Sequence, residues 1–367
     1  MASGQDTSPE MRIAVVAITG GGARLGQKLC KSMAGLQLYV SSRYAGQVGS
    51  GCRRFEPAGL KDLITSLWNK YDGFVLIMAT GIVVRVIAPL LKSKETDPAV
   101  VVMDDAGRFA IALLSGHLGG ANELAERCAF ASGARPVITT ATDVNDLPSF
   151  DMLAKDQGWV IDDISRVKTL NTLLLDNEEI AVVDPTGETR LWLHGRGKVT
   201  FHETLAEASA SSARGFLLVT NRHLPPQTCP ETLLILRPRN LVLGIGCNRG
   251  TPADEIEELV TLHLKRLFLS PKSVCCIASV AAKRDEAGLV EFAMRLHVPL
   301  RCFESDELNQ IAFPSPPSVH ALAAVGVAGV AEPAAILASG GGRLLLHKVK
   351  SANVTLAVAE LKEAQSP

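Results

Sequence analysis

Residues 11–26 read MRIAVVAITGGGARLG. From Met11 to Ile18 the β-branched run predicts one strand covered on both faces, as in a parallel sheet. The glycine-rich turn behind it opens a helix to about residue 33. Outward from this unit the pattern repeats. Residues 37–41 predict a second strand, 60–71 have helical periodicity, and 74–79 predict the next strand. Residues 99–103 and 109–114 flank Asp104-Asp105-Ala106-Gly107, a turn signal between two strands. SGHLGGANELAERCAF (115–130) starts a helix, and 135–139 return as a strand. Strands alternating with helices predict an open, mostly parallel sheet, whose ligands bind in crevices beyond the carboxyl ends of the strands.

The chain has 367 residues, of which 47% are hydrophobic and 20% charged, enough apolar material to exclude wholesale disorder and to fill two or three domains. Lys+Arg 37 against Asp+Glu 38 leaves no basic excess to neutralise phosphates, and 5% aromatic residues do not build a base-stacking platform, so no nucleic acid is expected. The eight cysteines, at 30, 52, 128, 229, 247, 275, 276 and 302, form no C-x-x-C and have no His at zinc-finger spacing. They predict reduced thiols in a cytoplasmic protein with no bound metal. MASGQDTSPE (1–10) reads as a frayed tail without the features of a signal peptide. Residues 74–91 are apolar except for Arg85, but Thr80-Gly81 and Pro89 interrupt them. A strand, a turn and a helix are expected there, not a membrane span.

The predicted organisation is α/β throughout. It comprises an N-terminal open, mostly parallel sheet domain (11–147), a small middle α/β module with its linker (148–238), and a separate C-terminal α/β domain (239–361). In the middle module, 159–162, 180–183, 191–193 and 216–219 are short strand candidates. Arg222-His223-Leu224-Pro225-Pro226 reads as the exit linker, and His194, His202 and His223 as surface or structural residues. In the last domain 241–246, 273–280, 298–303, 344–350 and 353–358 predict strands. Thr251 is the expected cap and Pro252 the first position of a helix to about 267. Residues 285–295 and 331–338 are also helical.

Four turns of the first domain carry chemistry. Gly20-Gly21-Gly22-Ala23-Arg24-Leu25-Gly26 is neither a Walker loop nor a clean GxGxxG, because Gln27 follows Gly26 and Leu25 fills the third glycine site; it reads as a tight turn or an anion site at a helix start. In Thr80-Gly81-Ile82-Val83-Val84-Arg85, Gly81 admits close backbone approach, and Arg85 either grips a substrate carboxylate or pairs internally with Asp97 or Asp104. Ser115-Gly116-His117-Leu118-Gly119-Gly120-Ala121-Asn122-Glu123 crowds three glycines, a hydroxyl, an imidazole, an amide and a carboxylate into nine positions, denser in chemistry than a structural turn requires. Thr139-Thr140-Ala141-Thr142-Asp143 can cap a helix or bond a polar ligand. In the last domain, Cys247 in Gly246-Cys247-Asn248-Arg249 stands either as a buried turn residue or as a thiol activated near a helix start. Lys283, Arg284, Asp285-Glu286 and Glu304 form either a solvated cluster or the rim of a cleft.

At these residues the sequence resembles the cobalt-precorrin-5A hydrolase (CbiG) family of anaerobic cobalamin biosynthesis. The matching stretches are MATGIVVRVIAPLL, DPAVVVMDDAGRFAIALLSGHLGGANELA, PVITTATDVND, GIGCNRGTPADEIEEL, ASVAAKRDEAGL and VAEPAAIL. Ala281-Ala282 depart from the acidic or leucine-containing pair common in the family before Lys283. The resemblance implies a hydrolysis: water opens the δ-lactone of cobalt-precorrin-5A, and the meso carbon between rings A and D leaves with its methyl as acetaldehyde, giving cobalt-precorrin-5B. It also implies that the C-terminal domain is similar to a stand-alone protein of the aerobic route.

That chemistry needs an activated water, donors for a tetrahedral oxyanion, and an electron acceptor for a retro-aldol-like cleavage. The cobalt-bearing macrocycle can accept the electrons, so no separate cofactor is expected and the cobalt belongs to the substrate. The residues expected to act are His117 as general base oriented by Glu123, with Ser115 and the Gly119-Gly120 amides polarising the lactone carbonyl. Arg85, Arg249 and Lys283 would hold peripheral carboxylates. Gly81, Asn122, Thr139, Thr140, Thr142, Asp143, Gly246 and Cys247 complete the expected binding surface. Expected partners are the corrinoid, a second copy of the chain and, transiently, neighbouring pathway enzymes, with no membrane. Two other readings stay open: a non-catalytic corrinoid carrier, and a nucleotide-dependent enzyme using TGGGARLG.

Overall fold

The computed structural model describes residues 11–93, 96–117, 119–225 and 230–362; the expected tail (1–10), Leu118, Pro226 and Cys229 lie outside them. The chain divides into two compact units, Met1–Met152 and Leu153–Pro367.

The first unit is built on seven strands: β1 (Ile13–Ala17), β2 (Leu36–Ser41), β3 (Arg53–Phe55), β4 (Gly73–Ile77), β5 (Ala99–Met103), β6 (Phe109–Leu114) and β7 (Arg135–Val137). Their order is β3-β2-β1-β4-β5-β6-β7. The central strands are apolar on both faces because both are covered. Ile13, Val15 and Ala17 pack into one core with Val75, Ile77, Val101 and Leu124, whereas Ala14 and Val16 pack into another with Phe74, Leu76, Ile64 and Trp68. Each fully buried Val, Leu, Ile or Phe contributes about 1.5–3 kcal/mol. The helix Gly20–Ser32 is capped by Thr19, whose side chain accepts from the Gly22 N–H.

One reversal decides what the sheet can do. β1, β2, β3, β4 and β5 run parallel, but β6 is antiparallel to β5, and β7 runs parallel to β6. Leu114 therefore pairs with Val100 at the start of β5. The carboxyl ends of β6 and β7 lie on the edge opposite the carboxyl ends of the other five strands.

The second unit carries two five-stranded sheets. The first holds β8 (Val160–Ile161), β9 (Ile180–Val183), β10 (Val199–His202), β11 (Gly215–Val219) and β12 (Leu233–Arg237), ordered β10-β9-β11-β12-β8, with only β8 antiparallel to its neighbour. The second holds β13 (Leu241–Cys247), β14 (Val274–Val280), β15 (Leu300–Phe303), β16 (Leu344–Ser351) and β17 (Val354–Glu360), ordered β15-β14-β13-β17-β16, with β17 antiparallel to both β13 and β16.

Three local expectations are corrected here. Residues 191–193 lie in the helix Thr189–Leu193, started where Asp184 accepts from the Thr189 N–H and hydroxyl. Thr251 does not cap the next helix: its hydroxyl donates to Asn248 O, and Pro252 takes the cap position of Ala253–Arg266. Residues 222–225 are not an exit linker, because β12 of the same sheet still follows and Arg222 and His223 are bonded to the C-terminal sheet's surroundings. Arg222 bridges to Leu269, and the His223 N–H donates to Phe268 O at 2.7 Å.

Arg237 fixes this joint. It is 2% exposed and donates to Thr220 O, Arg222 O and Asp162, the last at 3.0 Å. Among the described residues no helix is long and apolar enough to cross a membrane, and no group of His, Cys, Asp and Glu is arranged to hold a metal.

Candidate active site

The Ser115–Glu123 turn begins where β6 ends and the helix Ala121–Ser132 starts. Ser115 takes φ +57° and its hydroxyl donates to Asp97 O at 2.9 Å, tying the turn to the start of β5. The Ala121 N–H donates to Ser115 O, the Asn122 N–H to Gly116 O and the Gly120 N–H to His117 O. A Cβ on Gly119 would stand 2.4 Å from that of Ser115. Glycine here answers a steric need as well as a chemical one. Of the three donors expected to polarise a carbonyl, the Ser115 hydroxyl and the Gly120 N–H are committed to the turn itself.

That tight turn aims His117 into a set of polar groups drawn from residues 140–151. Nε2 lies 2.8 Å from Asp143 Oδ2 and 3.2 Å from the Thr142 hydroxyl. Nδ1 lies 3.1 Å from the Ser149 hydroxyl and 3.7 Å from Asp151 Oδ2. Ser149 in turn donates to Asp151 Oδ1. Asn122 holds the far wall, donating at 3.0 Å to both Thr140 and Asp143.

Proton positions follow from the partners. A carboxylate only accepts, so Nε2 facing Asp143 carries hydrogen. Ser149 spends its own hydrogen on Asp151, so Nδ1 must donate to Ser149. An imidazole that donates from both nitrogens is an imidazolium. The pKa shifts agree. Pairing with Asp151 raises His117 above its ordinary 6.5, burial opposes this, and pairing with Asp143 adds to the rise. Burial pushes Asp151 up, but the bonds from His117 and Ser149 outweigh it and hold the carboxyl below its ordinary 3.8.

Its two carboxylate neighbours thus favour the protonated form of the expected general base, His117. Glu123 does not orient it: Glu123 stands exposed on the first helical turn, and the carboxylates on the ring are Asp143 and Asp151. The sequence reading assigned Asp143 to substrate and placed residues 148 onward in the middle module, so it missed Ser149 and Asp151. The only available signal was two polar residues, Ser149 and Asp151, around Phe150, with nothing local to link them to an imidazole more than 30 residues earlier. The side chain of Asp151 is 10% exposed and that of His117 15%, whereas that of Asp143 is 43% exposed and forms the open end of the array.

The four turns do not form one crevice. The Gly20 and Thr80 turns lie at the carboxyl ends of β1 and β4, while His117 and Asp143 lie past the ends of the reversed β6 and β7, on the opposite edge; five-residue strands separate the edges by about 17 Å. At the first turn Asp105 fills the anion position, accepting from Gly22 N–H at 2.7 Å and from the Thr19 hydroxyl. A Cβ on Gly21 would lie 2.3 Å from that carboxylate. A phosphate would meet a like charge there, which argues against the nucleotide reading. Arg85 is exposed and donates to Gly81 O at 3.1 Å; Asp97 instead accepts from Lys92 N–H and Asp104 from the 106–109 turn. Thr139 is exposed beside Thr140.

In the C-terminal domain, burial is the main cause that raises the Cys247 thiol to about 11, so it is not an activated nucleophile. Gly246 is packed where a Cβ would stand 2.6 Å from the Thr355 hydroxyl. Lys283 is bound to Glu286 at 2.9 Å, and Glu286 also accepts from Gly250 N–H, so this expected carboxylate grip already holds the protein's own acid. Arg249 is exposed, and Arg284 lies 3.7 Å from Glu304.

Open α/β sheets carrying an imidazole between a buried and an exposed carboxylate define a multidomain α/β protein with titratable groups gathered at one turn. Comparison with known proteins makes this specific. Residues 62–143 match the family model described as Cobalamin synthesis G N-terminal, 148–238 the Cobalamin biosynthesis central region, and 241–359 the Cobalamin synthesis G C-terminus. The chain is 38% identical over 352 residues, 94% of either protein, to the cobalt-precorrin-5A hydrolase of Priestia megaterium. It is 33% identical to that of Salmonella typhimurium, covering 94% of this chain and 96% of the relative. A 123-residue stretch is 35% identical to protein CobE of Sinorhizobium sp, 32% of this chain and 79% of that one. The chain belongs to the cobalt-precorrin-5A hydrolase (CbiG) family and is an enzyme of cobalamin biosynthesis.

Proposed function

We propose that this chain, in the cytoplasm, opens the δ-lactone of cobalt-precorrin-5A with water and releases acetaldehyde to leave cobalt-precorrin-5B, with His117 and Asp143 moving the protons. The observation that carries this reading is the 2.8 Å contact between the His117 imidazole and the Asp143 carboxyl group, which has an open side. Asp143 takes a proton from the water whose oxygen bonds to the lactone carbon. The acyl C–O bond breaks, and His117 gives its Nε2 proton to the departing alkoxide. The proton on Asp143 then crosses to Nε2 and resets the pair. In the second step Asp143 takes the alcohol proton, the C=O of acetaldehyde forms, and the electron pair of the broken C–C bond enters the conjugated macrocycle. Asn122 holds Asp143 in place.

Purified His117→Ala and Asp143→Asn should each bind the corrinoid but release acetaldehyde at least ~100-fold more slowly. Unchanged turnover in either variant removes that residue from the mechanism. Wild-type protein that binds the corrinoid and yields no acetaldehyde is a carrier instead.

A further inference from the structure

The second unit contains a cavity of about 850 Å³ where its two sheets meet, walled by Trp159 and flanked by Arg239, Arg343 and Lys362. None of these residues belongs to the proton-transfer site, and none was singled out by the sequence. We propose that this cavity is a binding site for a polycarboxylate tetrapyrrole, gripping its acidic arms with Arg239, Arg343 and Lys362 while a face of the macrocycle lies against Trp159. The chemical class rests on the reaction proposed above; the site itself rests on the cavity.

Size comes first. The volume is at the upper end for small-molecule sites and far exceeds what an inorganic anion or a single amino acid fills. Charge comes second. Two carboxylates, Glu188 and Glu360, share the lining with the three cations. Glu360 is already satisfied: Oε1 accepts from Asn221 at 2.7 Å and from Asn240 at 3.5 Å, and Oε2 accepts from Arg343 Nη2 at 3.2 Å. That single bond orients the guanidinium and leaves its other N–H groups without a partner among the described residues. Arg239 and Lys362, both exposed, have no ion pair among the described residues. Glu188 also has a partner, and Arg343 shares its charge with Glu360, so among the described residues the unpaired cations in the cavity are Arg239 and Lys362, with the remaining Arg343 N–H groups beside them, an arrangement that suits a ligand with separated carboxylates.

The type of anion follows from the backbone. Phosphate sites favour convergent free N–H groups. Here they are spent: Gly341 N–H donates to Ile336 O, Gly342 N–H to the Ser339 hydroxyl, Leu361 N–H to Asn240 O and Lys362 N–H to Ser339 O. Recognition is left to side-chain cations, which suits carboxylates. Gly341 adopts φ +81°, and a Cβ on Gly342 would stand 1.8 Å from Glu360 O, so this close crossing of chains is what carries Arg343 to the cavity.

The test uses the full chain and two stable probes, cobyrinic acid and its fully methyl-esterified counterpart. Binding is read by titration calorimetry and by quenching of tryptophan fluorescence. Wild type should bind the acid and not the ester. Arg239→Glu/Lys362→Glu and Arg343→Ala should each weaken binding at least tenfold, and Trp159→Leu should remove most of the quenching, all with unchanged circular dichroism. His117→Ala should bind the acid as wild type does. Unaltered affinity in the charge-reversed protein, equal binding of the ester, or equally effective competition by pyrophosphate overturns the proposal. The acetaldehyde assay separates the two claims. Wild-type release with the acid's affinity unaltered in the charge-reversed protein sinks the cavity site alone. Cavity-dependent binding without any release sinks the reaction alone.

Discussion

His117 donates from both ring nitrogens, and its two acceptors differ in depth: Asp151 is buried behind it through Ser149, and Asp143 is open in front. The stability this array supplies has a defined pH window. The imidazole, raised above 6.5, contributes fully below that value and loses its contribution as pH rises through the folded pKa. Asp151, lowered below 3.8, contributes above that value and loses its share as pH falls through the folded pKa. If His117 acts as the acid, activity declines on the alkaline side as the imidazolium is lost. Asp151→Asn keeps the shape but removes the largest cause of the raised pKa. The alkaline limb of the pH–rate profile should therefore move to lower pH, whereas a merely structural role for Asp151 would lower the rate with the limb in place. His117 and Asp143 stand out in the sequence because each sits in a turn dense with polar groups. Their proton states do not, since these depend on Ser149 and Asp151, which approach the ring only after folding.

At the scale of elements, local pattern reads well where a continuous apolar run leaves one solution. The runs at 99–103, 109–114, 180–183 and 331–338 are elements with those bounds, although β6 is only partly buried. It reads poorly where a short amphipathic stretch fits either state, as at 189–193, where Asp184 starts a helix by accepting from Thr189. β10 and β12, each a single short run, went unread although Gly195 and Gly197 precede the first and Pro230 and Pro238 flank the second. Glycine inside a strand has a specific cause in β13. A Cβ on Gly244 would stand 1.9 Å from Ala331 O, on the helix Ala331–Ala338 that crosses this face of the sheet. Gly244→Ala must push that helix away from the sheet and should cost about 3 kcal/mol, the upper end for overpacking. A urea midpoint within error of wild type would show that the helix can shift at no cost.

For the whole molecule, the consequential features are the reversed β6 and the joint of the second unit. The reversal puts the imidazole on the opposite edge of the first sheet from the Asp105-filled helix start. At the joint, Asp162 sits between Arg237 at 3.0 Å and Lys272 at 2.9 Å. Burial acts to raise its pKa, but these two cations hold it below the ordinary carboxyl range. Arg237→Met would leave Thr220 O and Arg222 O without their donor and should cost about 3 kcal/mol, less than a fully buried pair because Asp162 is partly exposed. The signature would be faster proteolysis between the two sheets of the second unit, with the first unit unaffected; equal cleavage rates would mean that Arg237 does not secure the joint. The amino-acid sequence alone determined that this chain is a series of α/β sheets and marked the polar turns, because strand burial and glycine placement are local properties written in residue type. Only the tertiary structure decided which turns share an edge, which acids reach His117 and which cations line a cavity, because strand direction and long-range pairing are set by how separate elements pack, and no local pattern encodes that.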